Sequence, residues 1–309
     1  SVKTNDRELH LSLKERVEVI RSNRYFLMIF PFAMLALMIV MAYPIWYVIA
    51  ASLSDNAALT GYVGILLKPR GFSVEAYRMM VKNPMVLRGY LNTIYIVVVS
   101  VVLNLLFTSL AAYFLSRKNV YWQKYVMMMI VFTMFFSGGL IPSYLINTKV
   151  FHLGDTYWAI ILPTLINTYN LIIMRTSFAS IPDSLEESAK LDGAGHWTIL
   201  FRIVLPLSKA VLAVMVLYYA VAQWNSWFSA NIYLSTRSKY PLQLVLREIL
   251  ISNDTTSMTA GGADAGDQQS IGETVKYAVI VTATLPILCV YPFLQKYFVK
   301  GVMVGAVKG

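Results

Sequence analysis

The sequence predicts an all-α, polytopic membrane protein with six transmembrane helices, and three observations carry that prediction. Of its 309 residues, 57% are hydrophobic and only 14% charged, with a mean hydropathy of +0.59. Soluble domains usually carry about a quarter charged residues. Second, six windows hold no charge at all: residues 25–54, 89–116, 125–148, 156–174, 210–236 and 277–295. Each is long enough to cross, because a bilayer core takes roughly 20 apolar residues in helical form. Third, the Lys and Arg residues divide unevenly between the connecting segments. With an even number of spans and the N-terminus inside, the inner segments hold 16 of the 26, the outer loops nine, and Lys276 sits at a span edge. Cytoplasmic loops favour Lys and Arg, so both termini are expected to be cytoplasmic. The net charge of +10 is scattered among those loops, which argues against a nucleic-acid surface.

The elements follow in order. Residues 1–24 contain DRELHLSLKERVEVIRSNR, leucines and valines among charges, which predicts a helix lying along the inner surface. Residues 25–298 form the membrane domain. Its first span starts too deep and runs too long for a cleaved signal peptide, and no A-x-A-like site follows, so a retained span is expected. The outer loop 55–88 has room for a short surface helix after Ser73. The outer loop 237–270 opens as an amphipathic helix, with Leu242, Val245, Leu246 and Ile249 at helical spacing. It then becomes rich in Gly, Ser, Asp and Thr, a composition that predicts mobility. Prolines 142, 163, 286 and 292 are placed to kink spans. Residues 299–309 form a cytoplasmic tail. Cys289 lies within an apolar run, where a buried, inert thiol is expected.

Between spans four and five stands the loop 182–206, charged where its neighbours are not. Pro182 and Asp183 offer a helix start, with Asp183 and Glu186 spaced as a capping-box-like pair. Glu186 and Glu187 suit the positive end of a helix dipole. Gly193 is a natural terminator, so the helix spans about two turns and needs packing to persist. Small Ser188 and Ala189 admit close approach. Trp197, Leu200, Phe201 and Val204 then recur at helical spacing, as the apolar face of a second helix.

Function classes narrow quickly. There is no G-x-x-x-x-G-K-[ST], so the chain carries no P-loop. A secondary transporter would call for buried carboxylates, yet no Asp or Glu lies inside a window. A membrane enzyme would need a nucleophile–base pair or a metal set, and His10, His152 and His196 are unpaired by spacing. Polar residues in spans are costly in lipid and face the interior. The candidates are Tyr144, Asn147, Asn167, Tyr169, Asn170, Gln223, Trp224, Asn225 and Trp227. Aromatic faces and amides suit sugars, but interhelical hydrogen bonding serves such residues equally; Asn104 is read as structural.

The loop also has specific spacing. Glu187, Ser188 and Ala189, three residues, Gly193, nine residues, Ile203, one residue, then Leu205 and Pro206 follow E-A-A-x3-G-x9-I-x-L-P, with Ser188 the one departure. This resembles the signature loop of the membrane-spanning permease subunits of binding-protein-dependent ABC importers. The resemblance extends over residues 20–309. LKPRGFSVEAYRMMVKNP with LNT at 91–93, and KYFVKGVMVGAVKG at the end, resemble the carbohydrate-uptake (maltose-type) branch. FFSGGLIPSYL with LGDTYWAIILP resembles its subgroup associated with complex oligosaccharides and polysaccharide fragments.

The resemblance implies a type I importer permease fold and a non-catalytic subunit in a prokaryotic cell membrane. It implies that loop 182–206 is a coupling loop. Glu186, Glu187, Ser188, Ala189, Asp192, Gly193, Ile203, Leu205 and Pro206 would meet a cleft on an ATPase, with Gly193 placed where a side chain would collide. The implied partners are a second, homologous permease subunit, two cytoplasmic ATPase subunits, an extracytoplasmic solute-binding protein and membrane lipid, and the implied cargo an oligosaccharide. The implied tail contact at Gly305–Gly309 lies between the ATPases. The chain itself would need no cofactor, ATP and Mg being bound by the ATPases. A permease for another solute stays open as the alternative.

Overall fold

The computed structural model describes residues 13–118, 120–252, 274–290 and 292, and among them the regular structure is helical apart from one isolated antiparallel bridge, Ser54 to Phe72. The expectations for residues 1–12, for the polar half of the outer loop and for the tail lie outside the described residues.

Helix α1 runs unbroken from Leu13 to Ser52, with Pro31 and Pro44 inside it. Residues 13–24 therefore continue the first span's helix, where a separate surface segment was expected. From Ile29 the helix is apolar on all sides and mostly exposed in the isolated chain, which suits lipid or partner protein. Its end is held by the following loop: the Leu66 amide donates to Tyr43 Oη at 3.1 Å and the Trp46 indole to the Leu67 carbonyl. Asp55 caps the short α2, Asn56–Thr60. Helix α3, Glu75–Lys82, follows Ser73 as its spacing suggests and buries Ala76 and Met80.

Helix α4, Pro84–Ser116, is the axis of the molecule. Asn83 caps it and Pro84 occupies its first turn, where the missing N–H costs nothing. Its 33 residues reach about 50 Å. The buried stripe Ser100, Asn104, Thr108, Ser109 and Ala112 is small or polar, which lets neighbouring helices approach closely. Thr108 Oγ1 and Tyr219 Oη are 2.7 Å apart across the resulting contact.

The third to fifth windows depart from straight spans. Residues 125–148 form α5, Gln123–Phe135, and α6, Leu140–Leu145, which continues through a π-turn at Ile146–Val150; the two arms bend by 112°. Gly138 and Gly139 supply the break, Gly139 at φ +84°. The fourth window is interrupted as well. Helix α7, Trp158–Ile161, tightens into a 3₁₀ turn at Pro163, and Asn167 then caps a new helix, α8, Thr168–Ala179.

Helix α9 is Asp183–Leu191. Helix α10, His196–Ile199, passes through a π-turn at Leu200–Val204 into α11, Leu205–Leu207. After an 84° bend, α12 runs from Lys209 to Trp224. The fifth helix thus stops at Trp224, short of the expected residue 236, and α13, Phe228–Tyr233, follows a break at Asn225. Helix α14, Leu242–Ser252, buries Leu242, Val245 and Leu246, the face its spacing indicates. Helix α15 is Thr274–Val290. Cys289 on α15 is exposed, against the expectation of burial, because an apolar span residue can equally well face lipid.

Two apolar cores lie at opposite ends of α4. One joins Val86 to α3, Trp224, α14 and α15. There Gly89 is needed for room, since a Cβ would sit 3.1 Å from Leu242 Cα. The other joins Ala112, Tyr113 and Leu115 to Leu171, Met174 and Phe178 of α8 and to Ile199, Leu200, Val204, Met215 and Tyr219. The charged loop is built on this second core.

Candidate functional site

Helix α9 begins differently from its sequence pattern. Pro182 occupies the cap position and offers no side-chain bond, so the Asp183–Glu186 capping box does not form. Both carboxylates turn to cations at the end of α4. Asp183 accepts from Lys118 Nζ at 2.5 Å, and Glu186 pairs with Arg117 and with Lys190, the latter at 3.0 Å. The hydrogen bond and charge of Lys118 hold the Asp183 carboxyl below the usual carboxylate range.

Arg117 is the hub. Its guanidinium donates to Ser116 Oγ and to the Phe178 carbonyl, and lies 4.7 Å over the Tyr113 ring. Burial pulls its pKa down, opposed by Tyr113 and Asp183; an arginine keeps its charge regardless. Tyr113 Oη also lies 3.2 Å from His196 Nδ1. Arg117, Lys118, Asp183, Glu186 and His196, together with Ser116, Phe178 and Glu187, line a cleft of about 440 Å³ between α4, α8 and α9.

The helix ends in a complete Schellman turn. The Ala194 amide donates to the Ala189 carbonyl and the Gly193 amide to the Lys190 carbonyl, with Gly193 at φ +80°. A Cβ on Gly193 would meet nothing within 4 Å. Within this chain the glycine is needed for its backbone angle.

The loop residues divide into two sets. Glu187, Ser188, Asp192, Gly193 and Pro206 are exposed. Ala189, Ile203 and Leu205 pack against the core, and Glu186 is engaged by Arg117, so these four do not share the presented face. The second helix also departs from its expected stripe. Leu200 and Val204 are buried together with Ile199, whereas Trp197 and Phe201 are exposed and stacked with ring centroids 6.1 Å apart. The π-turn at 200–204 adds a residue to the turn and rotates the buried face. Exposed Leu191 completes an apolar margin beside Glu187.

The polar span candidates do not form one cluster. Asn147 donates to Tyr233 Oη at 3.0 Å, Tyr144 stacks on Tyr233, and Asn167 accepts from the Asn170 amide. Gln223 donates to Thr164 Oγ1 at 2.7 Å, and the buried Trp224 donates its indole N–H to the Ala283 carbonyl. Asn225 bonds the Val221 carbonyl. Tyr144, Asn167, Tyr169, Asn225 and Trp227 are exposed, and Arg247 lies 4.2 Å over the Trp227 ring.

Sequence reasoning missed Arg117 and Asp155. The signal for the first was present: Arg117 and Lys118 end the second span, and an acidic helix elsewhere needs cations. Asp155 had no such signal. It sits at φ +56° and gathers the Ser235 and Thr236 amides, the Thr236 hydroxyl and Lys239 Nζ.

Residues 110–304 match the family described as binding-protein-dependent transport system inner membrane component. The chain belongs to this family. It is 41% identical over 93% of its length, and 99% of the relative's, to the polygalacturonan/rhamnogalacturonan transport system permease protein YtcP of Bacillus subtilis. It is 43% identical over 86% of its length, and 89% of the relative's, to protein LplC of the same organism. Among solved structures, a bacterial ABC transporter involved in the import of the acidic polysaccharide alginate superposes with a TM-score of 0.82 at 32% identity, covering 90% of this chain and 98% of that one. A second alginate transporter chain, crystallised with a pentasaccharide-bound periplasmic protein, shares the fold at 17% identity with a TM-score of 0.55. The fold is thus the type I importer permease fold, and the chain is a non-catalytic transmembrane component of an ABC transporter.

Proposed function

We propose that this chain is one half of the membrane pathway for a fragment of an acidic polysaccharide, driven by a separate ATPase that docks on α9. One observation carries the reading: of two consecutive glutamates, Glu186 is held inside by Arg117 and Glu187 is left exposed beside Ser188 and Leu191. A presented carboxylate with a small residue and an apolar margin suits a groove that has a basic group and room for a helix. The relatives that carry polygalacturonan, rhamnogalacturonan and alginate support an acidic sugar. The Arg247–Trp227 pair supports it in chemistry, because a uronic acid offers an apolar ring face and a carboxylate together.

In this reading both termini are cytoplasmic, and the α14 end of the molecule faces a solute-binding protein. A second permease subunit completes the pathway, and two ATPase subunits bind ATP and Mg. The test is uptake of galacturonan fragments by the complex reconstituted with its ATPase and binding protein. Glu187→Lys is expected to leave ATP hydrolysis running while uptake falls toward background. Normal uptake in that variant would remove α9 from the coupling role.

A further inference from the structure

We propose that Arg117 is a positioning residue that ties α9 to α4, so that displacement of the loop is delivered along α4 as well as into α12. This rests on reading α9 as the ATPase contact, and it separates the two glutamates into different tasks.

Little else holds α9 in place. The helix has nine residues, none fully buried, and of its small residues Ala189 alone packs on the core. A helix of that length does not persist by itself in water. Its direct side-chain ties to another element run to the end of α4: Lys118 to Asp183, and Arg117 to Glu186. The first is exposed, with side chains 78% and 57% accessible, and such pairs contribute little. The second is nearly enclosed, at 15% and 12%. Parting the pair leaves the enclosed guanidinium without its carboxylate and Glu186 with only the half-exposed Lys190, so this contact resists separation.

Arg117 is also placed to transmit force. It is the C-cap residue of α4, and its guanidinium is fixed by Ser116, the Phe178 carbonyl and the Tyr113 face. A planar, multiply bonded guanidinium holds direction in a way a lysine ammonium does not. Helix α4 runs without interruption to its other end. There Thr93 accepts the Leu242 amide at 2.8 Å and Asn92 bonds the carbonyls of Ser238 and Tyr240. A shift of α9 thus has a straight path of hydrogen-bonded and packed groups to α14, whereas the α10–α12 route, which reaches the same core through Trp224, bends by 84° on the way.

The test compares Arg117→Glu, Glu186→Arg, the double exchange and Arg117→Lys in the reconstituted complex, with galacturonan fragments as cargo. Two quantities are read: amide hydrogen exchange across 183–191, and uptake per ATP hydrolysed. Each single charge reversal is expected to raise exchange and lower the uptake ratio by about tenfold or more, and the double exchange to recover most of both. Arg117→Lys should fall between, which keeps the test sound if a reversal folds poorly. A double exchange no better than the worse single overturns the proposal. So does a set of variants whose exchange responds while the uptake ratio does not. The coupling reading itself falls only if Glu187→Lys also transports normally, so the two failures are distinguishable.

Discussion

The Asp155 carboxylate should be the strongest single tie between the loop 151–157 and the segment that leads into α14. It accepts the Ser235 and Thr236 amides, each at 2.9 Å, the Thr236 hydroxyl at 2.6 Å and Lys239 Nζ at 2.7 Å. Hydrogen bonds to a charged group contribute about 1.5–3 kcal/mol each when deeply buried. This carboxylate is 30% accessible, and water replaces part of what is lost, so Asp155→Ala should cost about 2–4 kcal/mol locally. The readout is amide exchange at Ser235 and Thr236, expected to accelerate between about 30-fold and 1,000-fold. Asp155→Asn keeps an acceptor and tolerates the left-handed backbone, so it should lose roughly half as much. The partners hold the carboxyl well below the usual carboxylate range. A depressed folded pKa contributes stability above the ordinary value near about 4 and loses it as pH falls through the folded value. The clamp should accordingly be indifferent to pH from neutral down to about 5. Exchange that changes less than about threefold in Asp155→Ala would mean that the carboxylate does not hold the two segments together.

Other substitutions test the local arguments. At Gly193 the cost is conformational, since a Cβ meets nothing. Asn should be tolerated best, Ala should cost about 1 kcal/mol and Val about 2, read as exchange of the Ala194 amide; equal tolerance of all three would contradict the left-handed turn. At Gly89 the cost is steric, because Leu242 Cα lies 3.1 Å from a built Cβ. Gly89→Val should lower thermal stability of the complex by about 1–3 kcal/mol, and should also weaken the Thr93 bond to the Leu242 amide.

Much of this was legible in the residues because it depends on local rules. Charge-free windows marked α1, α4 and α15, and the 3.6-residue period marked the buried face of α14. The E-A-A-x3-G spacing located α9 and its glycine turn. What escaped depended on partners distant in the chain. Asp183 and Glu186 have capping spacing, yet Lys118 and Arg117, some 65 and 69 residues away, offer charges that a backbone amide cannot match. The windows at 125–148 and 156–174 contain Gly138, Gly139 and Pro163, whose capacity to break a helix was visible, but tertiary packing decides whether it is used. Trp197 and Phe201 fit an apolar stripe that a π-turn rotates away, and no composition rule announces such a turn. The polar residues of the fifth span looked alike in sequence; the end of α12 at Trp224 separates buried Gln223 from exposed Trp227.

If α9 is the docking helix, the ATPase must touch this chain at Glu187 and Ser188. Single cysteines at Glu187, Ser188 and Thr236, in a Cys289→Ser background, can be treated in the assembled complex with a short thiol–amine cross-linker. Links to the ATPase subunit are expected from positions 187 and 188 and none from 236, which lies beside Asp155 at the far end of α4. Links from position 236, or none from 187 and 188 in a complex that still hydrolyses ATP, would contradict docking on α9.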